Sequence, residues 1–121
     1  MPGLKIDKLT IIVTEEKNSV SIDWEGLCDL KNPGQILKDF FFKIFDAYTG
    51  KKLIMSFINL KYVNSSTISP IIALLRKLNE LKISSTVIYD KTCFWQEISF
   101  KSFIAITAKL EYIVIKEKDD A

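Results

Sequence analysis

The chain has 121 residues, of which 48% are hydrophobic and 26% charged, a composition typical of one globular domain. Its formal net charge is +2, and its lysines are spread among acidic residues, which argues against a nucleic-acid partner. Histidine is absent, which excludes Ser-His-Asp and Cys-His catalysis and removes the commonest metal ligand. Cys28 and Cys93 are isolated and form neither a zinc motif nor a disulfide framework, so the sequence predicts no metal site and no cofactor.

The amino terminus, MPGLKIDK, lacks the apolar core of a secretory signal. Apolar runs elsewhere are far shorter than the ~20 residues that span a bilayer. Two free thiols also suit a reducing compartment. We therefore expect a soluble cytoplasmic protein without membrane insertion, with one domain over residues 1–121 and a frayed tail at 116–121.

The first half of the chain predicts a hairpin, a helix and a central strand. Residues 9–13 form a β-branched run, and residues 20–24 alternate apolar and polar side chains across the turn TEEKNS. Residues 35–48 carry an apolar residue every fourth position and predict a helix that ends before Gly50. The continuous apolar run 53–60 predicts a strand covered on both faces.

The second half predicts two more helices and two more strands. A helical stripe follows Ser69-Pro70, which fits a cap and a first helical residue; its apolar members are Ile71, Leu74, Leu75, Leu78 and Leu81. Residues 85–90 predict a short strand, and residues 92 to about 99 predict a helix capped by Thr92 with Phe94, Trp95 and Ile98 facing inward. The segment EYIVIKEK predicts a final strand.

The resulting order is β-β-α-β-α-β-α-β, which defines an α/β fold. Strands that alternate with helices imply right-handed crossovers, and the opening hairpin adds an antiparallel element. We expect a mixed, mostly parallel sheet of about four or five strands with helices packed on it.

The segment KLIMSFINLKYVNSSTISPIIALL resembles, without a gap, the core segment of STAS domains of the anti-sigma factor antagonist type. That family has an apolar strand, an acidic residue, two hydroxyl residues, a Gly-Leu-Gly turn and an apolar helix; the segment WEGLCDL resembles its shorter G-x-L-D motif. Asn64 stands in place of the acidic residue, and Thr67 and Ser69 stand in place of the glycines. The chain is thus similar to a divergent STAS domain.

The resemblance implies a bacterial-type signal transduction regulator that binds a protein partner such as an anti-sigma-type kinase or a phosphatase. It implies that Ser65 is the phosphorylated residue, with Ser66 as the second choice. Partner binding would involve Asn64, Ser65, Ser66, Thr67 and Ser69. Independently of the family, a phosphate at a helix start is tolerated locally while it changes the outer surface. Hydroxyl residues there also have an ordinary role in capping, and Asn64 fits a turn-holding residue.

Two other functions remain open at this stage. The protein could be a phosphorylation-independent scaffold or a homodimer that assembles through the same helix or through the phenylalanine-rich face at 40–45, where Phe42 is expected to be exposed. It could also be a small-molecule sensor. An enzyme is not expected, because the paired carboxylates lie in a turn and in the tail rather than in a buried environment.

Overall fold

A computed structural model describes residues 3–119, which form one six-stranded sheet with three helices. The strands are β1 (Gly3–Ile6), β2 (Leu9–Glu15), β3 (Ser19–Cys28), β4 (Lys52–Val63), β5 (Ser85–Tyr89) and β6 (Ile113–Glu117). The helices are α1 (Pro33–Ala47), α2 (Ser65–Glu80) and α3 (Phe94–Thr107). The predicted α/β fold class is confirmed.

The sheet order follows the chain order from β1 to β6. Strands β1, β2 and β3 pair antiparallel, and β3 to β6 pair parallel. Because each right-handed crossover moves one strand in the same direction, all three helices lie on one face of the sheet. Contacts of α1 with α2 and of α2 with α3 agree with this arrangement. The carboxyl ends of β3, β4, β5 and β6 therefore meet at one edge of the sheet.

Aromatic side chains fill the space between the sheet and the helices. Trp24 on β3 is fully buried and stacks on Phe41 of α1, with ring centroids 5.2 Å apart. Phe57 on β4 lies 4.9 Å from the Trp24 ring and 5.6 Å from Phe100 of α3. Each fully buried aromatic side chain removes 150–250 Å² or so from water, so these rings carry much of the core's hydrophobic stabilisation. Trp24 and Trp95 both lie in the core, and for Trp95 this confirms the inward orientation predicted from sequence.

The strand count and the tail differ from the sequence prediction. β1 was not predicted, because four residues with alternating half-burial give a weak signal; it pairs with β2 through Leu4 and Ile11, among others. The frayed tail predicted at 116–121 is wrong for its first two residues, since β6 runs to Glu117, which pairs with Tyr89. The last two positions of that prediction, 120 and 121, lie outside the described residues.

Strands β3 and β4 also depart from the predicted pattern. β3 continues past Trp24 to Cys28 because a bulge at Gly26, with φ +87°, absorbs the irregular sequence there. β4 alternates between buried and half-buried side chains. Its predicted coverage on both faces therefore holds on the helix side only, and Ile54 and Ile58 lie half-buried on the open face.

Each helix differs from its prediction from sequence. The buried side of α1 includes Leu37, Phe41 and Phe45, one position beyond the predicted repeat. Helix α2 begins at Ser65, five residues before the predicted first residue Pro70, and holds that proline inside it. Helix α3 continues well beyond the predicted end, to Thr107. The described residues contain no helix that is long and apolar enough to cross a membrane.

The inward orientation predicted for α3 is wrong for two of its three residues. Trp95 is buried, but Phe94 is 80% exposed and Ile98 is 53% exposed. Positions 94 and 98 are one turn apart and share the outer face of the helix. The inner face is instead provided by Gln96, Phe100 and Phe103, which are fully buried.

Candidate functional site

The junction between β4 and α2 presents two serines to solvent. Asn64 is the N-cap residue, with φ −79° and ψ 168°, and the helix begins with Ser65 and Ser66, both exposed. No side chain caps the first turn, and the first turn contains no acidic residue. The leading backbone N–H groups of a helix have no intrahelical acceptor and carry a partial positive charge. This helix start can therefore accommodate an anion on either serine without a nearby like charge on the same turn.

The side chain of Asn64 joins two loops instead of capping the helix. Its Nδ2 donates to the carbonyl of Leu30 at 2.9 Å, and its Oδ1 accepts from the Thr67 hydroxyl at 2.6 Å. Its backbone N–H donates to the carbonyl of Cys28 at 2.9 Å. The segment after β3 is thus fixed to the segment after β4, which is the turn-holding role expected for an asparagine here.

Thr67 is fully buried below the exposed serines. Its Oγ1 lies 2.6 Å from Asn64 Oδ1 and 3.2 Å from Cys28 Sγ. A hydroxyl has one proton, so when Thr67 donates to the amide oxygen, the thiol of Cys28 is left to donate to Thr67. A partner that approaches this surface would meet Ser65, Ser66 and Ser69 rather than the Thr67 side chain.

Pro70 lies in the sixth position of α2, where it removes one backbone donor. Its missing N–H would otherwise bond the carbonyl of Ser66, so that carbonyl is left without its helical partner. The Pro70 ring packs close to Gly34 at the start of α1, where an added Cβ would lie 3.6 Å from the ring. The proline therefore helps to set the approach of α1 to α2 beside the two serines.

The amino terminus of α3 covers the end of β4, beyond the point where β5 stops pairing. Trp95 Nε1 donates to the carbonyl of Leu60 at 2.6 Å. Gln96 Nε2 donates to the same carbonyl at 3.1 Å and to the carbonyl of Phe57 at 2.6 Å, while its Oε1 accepts from the backbone of Asp90. These side chains replace the missing strand neighbour. Gln96 could not be singled out from the sequence, because nothing in its local pattern distinguishes a buried glutamine from an exposed one.

Asp90 stabilises the loop that leads into α3. Its Oδ1 accepts from the hydroxyl of Thr92 at 2.7 Å and from the Thr92 backbone N–H at 2.9 Å, and its Oδ2 lies 3.2 Å from Lys118 Nζ. These hydrogen bonds, the hydroxyl first, hold the pKa of Asp90 below its ordinary value of 3.8, although burial acts in the opposite direction. The carboxylate is thus a structural acceptor. No group of three or more Cys, Asp and Glu side chains within residues 3–119 is placed to hold a metal ion.

A groove runs between α1 and α2, next to the exposed serines. Three adjoining cavities form it, of which the largest is about 420 Å³ and is lined by Gly34, Lys38, Phe42, Ser69, Pro70, Ala73 and Leu74. Phe42 lines all three cavities and is half-buried, partly confirming the exposure expected for it from sequence. The basic residues beside Phe42 are Lys38, Arg76 and Lys77. Their grouping could not be predicted from sequence, because they come from two separate helices.

The comparisons with known proteins support the fold. No protein-family model matches the chain, and a search of curated proteins finds no match. A search of solved structures finds a chain in the crystal structure of the diguanylate cyclase SiaD in complex with its activator SiaC from Pseudomonas aeruginosa. The match has a TM-score of 0.59 and 16% identity, and it covers 96% of this chain and 98% of that chain. At this identity the likeness shows a shared small α/β fold.

Proposed function

We propose that this protein is a cytoplasmic, non-enzymatic regulator that binds a protein partner, and that phosphorylation of Ser65 switches this binding. It would be a divergent STAS-like protein related in action to the anti-sigma factor antagonists, with Ser66 as the second choice of acceptor. The partner would be a kinase, a phosphatase or another effector protein. The observation that carries the proposal is the pair of exposed serines at the uncapped start of α2.

The local chemistry supports a switch that acts on the surface rather than on the fold. A phosphate adds about −1.5 to −2 charges, and the partial positive charge of a helix start offsets part of that change. Ser65 and Ser66 make no side-chain hydrogen bond within the described part of the chain, so modification would break no internal contact of theirs. The hydrogen-bonded network of Asn64, Thr67 and Cys28 would stay in place beneath the phosphate.

The fold comparison supports the protein-binding part of the proposal. The matched chain has nearly the same extent as this one and comes from a complex between an enzyme and its activator. A domain of this fold thus occurs in an assembly in which one protein regulates another. The comparison supports the general role, whereas the acceptor serine and the kind of partner are inferred from the residues of this chain.

Two measurements test the proposal. The first is intact-mass spectrometry with site mapping on protein purified from its native cells with phosphatase inhibitors present. We expect one phosphate on Ser65 or Ser66. Protein that is unmodified at both serines under several growth conditions would contradict the switch.

The second measurement uses variants as baits in a lysate of the native cells, with quantitative mass spectrometry of the captured proteins. We expect wild type and Ser65→Ala to capture the same partner and Ser65→Asp to lose it. Ser102→Asp is the matched control, because Ser102 is also exposed on a helix but lies on α3. Equal capture by Ser65→Asp and Ser102→Asp would favour a constitutive scaffold.

A further inference from the structure

The three cavities between α1 and α2 join into one continuous groove. Its three cavities share Phe42, and neighbouring cavities also share Lys38, Ser69, Ala73 or Lys77. From Ser69 to Leu81, a rise of 1.5 Å per residue gives a length of about 18 Å. That length equals about three turns of an α-helix.

The floor of the groove is apolar, and small residues make it deep. Gly34 and Ala73 present almost no side chain, the half-buried Pro70 and Phe42 supply apolar surface, and the buried Leu74 closes the bottom. Ala73 is exposed, so no other element fills the space above it. Small residues at such positions allow a third helix to approach to the usual interaxial distance of about 8–10 Å.

The rim of the groove is basic and mostly unpaired. Four cations line it, namely Lys38, Lys43, Arg76 and Lys77, against two anions, Asp46 and Glu80. Lys77 is paired with Glu80 at 3.5 Å. Within residues 3–119, no carboxylate lies within 4.0 Å of the other three cations, including Arg76, the chain's sole arginine.

Two of these cations also face the apolar wall. Lys38 Nζ lies 5.5 Å from the centroid of the Phe42 ring, and Lys77 Nζ lies 5.1 Å from it. The ring holds both ammonium groups beside the groove by cation–π attraction. Positive charge is thus concentrated on both sides of an apolar surface, although the net charge of the whole chain is only +2.

We propose that this groove binds an acidic amphipathic helix of a protein partner, with its apolar face on Pro70 and Ala73 and its carboxylates toward Lys38, Arg76 and Lys77. The charge complementarity favours this occupant over a basic segment, and the three-turn length fits a single helix. The inference rests on the protein-binding part of the proposed function and does not require phosphorylation.

The groove also gives a physical reason for a switch at Ser65. Ser65 and Ser69 are four residues apart on α2, so they are neighbours on the same helix face, with Cβ atoms about 5–6 Å apart. Ser69 lines the groove. A phosphate on Ser65 would therefore stand at the groove's end and repel the carboxylates of an acidic occupant, within the ~8 Å screening length at physiological salt.

A displayed library of helices tests the occupant directly. The probes are 15-residue amphipathic helices with leucines on one face and Glu, Lys, Gln or Ser in random order on the other, selected on the unmodified protein. We expect selected helices to contain a clear excess of Glu over Lys. Absence of any selected helix, or selection of neutral or basic helices, overturns the proposal.

Matched variants then locate the bound helix. Ala73→Phe fills the groove, and we expect it to weaken the selected acidic helix by at least about tenfold in Kd, measured by fluorescence anisotropy. Ala105→Phe is the control, since Ala105 is also exposed but lies on α3. Equal affinity of both variants for the helix places it elsewhere and overturns the groove assignment.

A second pair of variants tests the charges. The double variant Lys38→Gln with Arg76→Gln should weaken the acidic helix by about tenfold. Lys109→Gln with Lys116→Gln removes the same charge from exposed positions outside the groove and should change Kd little. If both double variants weaken binding equally, the rim charges have no specific role and the acidic-helix assignment fails.

The same helix separates this inference from the phosphorylation switch. If the acidic helix binds the groove and Ser65→Asp does not weaken this binding, the groove assignment is supported and the repulsive mechanism of the switch is refuted. If Ser65→Asp releases the native partner while no acidic helix binds the groove, the switch at Ser65 is supported and the groove assignment is refuted. Each result thus tests one of the two proposals separately.

Discussion

The buried hydroxyl of Thr67 gives a direct test of how the β4–α2 junction is held. In Thr67→Val the side chain keeps its shape but loses the bond to Asn64 Oδ1, which is 2.6 Å long, and the contact with Cys28 at 3.2 Å. The amide oxygen then has no protein donor in a half-buried site. A buried acceptor left unpaired costs about 1–3 kcal/mol, and partial exposure of Asn64 places the expected loss of unfolding free energy at about 1–2 kcal/mol.

Urea unfolding followed by tryptophan fluorescence measures this loss, with Thr107→Val as the matched control. Thr107 is also buried, but its hydroxyl donates to the carbonyl of Phe103, four residues earlier in α3. That carbonyl already accepts a helical N–H, so its loss leaves no group unpaired, and we expect a change below about 0.5 kcal/mol. If Thr67→Val lowers the unfolding free energy no more than Thr107→Val does, the bond to Asn64 does not stabilise the junction.

Three further predictions concern charge and backbone. Ser65→Asp should raise the unfolding free energy by about 0.3–1 kcal/mol, because a carboxylate at a helix start is favourable; a lower melting temperature would refute this. The pKa of Asp90 is lowered on folding, so its stabilisation is present above its ordinary value of 3.8 and disappears as pH falls through the folded pKa. Asp90→Asn should thus be less stable than wild type at neutral pH, and the difference in unfolding free energy should shrink as pH falls below 3.8; a difference that stays constant in acid would contradict the assignment. Gly26→Ala should cost more than about 3 kcal/mol, since its φ is +87° and the new Cβ would overlap the backbone carbonyl oxygen of Lys8. Gly50→Ala, at φ +91° with open space around it, should cost only about 1–2 kcal/mol, and equal losses in urea unfolding would exclude the clash as the cause.

Periodic apolar patterns were enough to predict the α/β class and most elements. They failed where tertiary contacts replace local signals. Ser69-Pro70 has the sequence of a helix start, yet α2 begins at Ser65, because Asn64 is fixed from the side by Leu30 and supplies an earlier start. Phe94 is of a residue type that is common in cores, yet it faces solvent on α3. The opposite face of that helix is turned to the sheet, where Gln96 donates to the backbone of β4.

The candidate site was predictable only in part for the same reason. The hydroxyl cluster is contiguous in the chain, so its place between a strand and a helix could be inferred from sequence. The groove could not be, because its cations come from two helices whose approach depends on Gly34 and Pro70. In the sequence, Lys38 and Arg76 are indistinguishable from ordinary solvated charges. Only the fold places them on the rim of one groove.

Helical geometry separates the two kinds of hydroxyl at the start of α2. Successive residues are rotated by 100° or so, which turns Ser65 and Ser66 to solvent and Thr67 to the core. Thr67 is held by contacts to Asn64 and Cys28, which involve neither of the outer serines. A charge added at Ser65 would therefore change the electrostatics of the surface without breaking the hydrogen bonds of Thr67. The close sequence spacing of these hydroxyls thus allows a rigid support and a chemically variable surface to coexist within a single turn of helix.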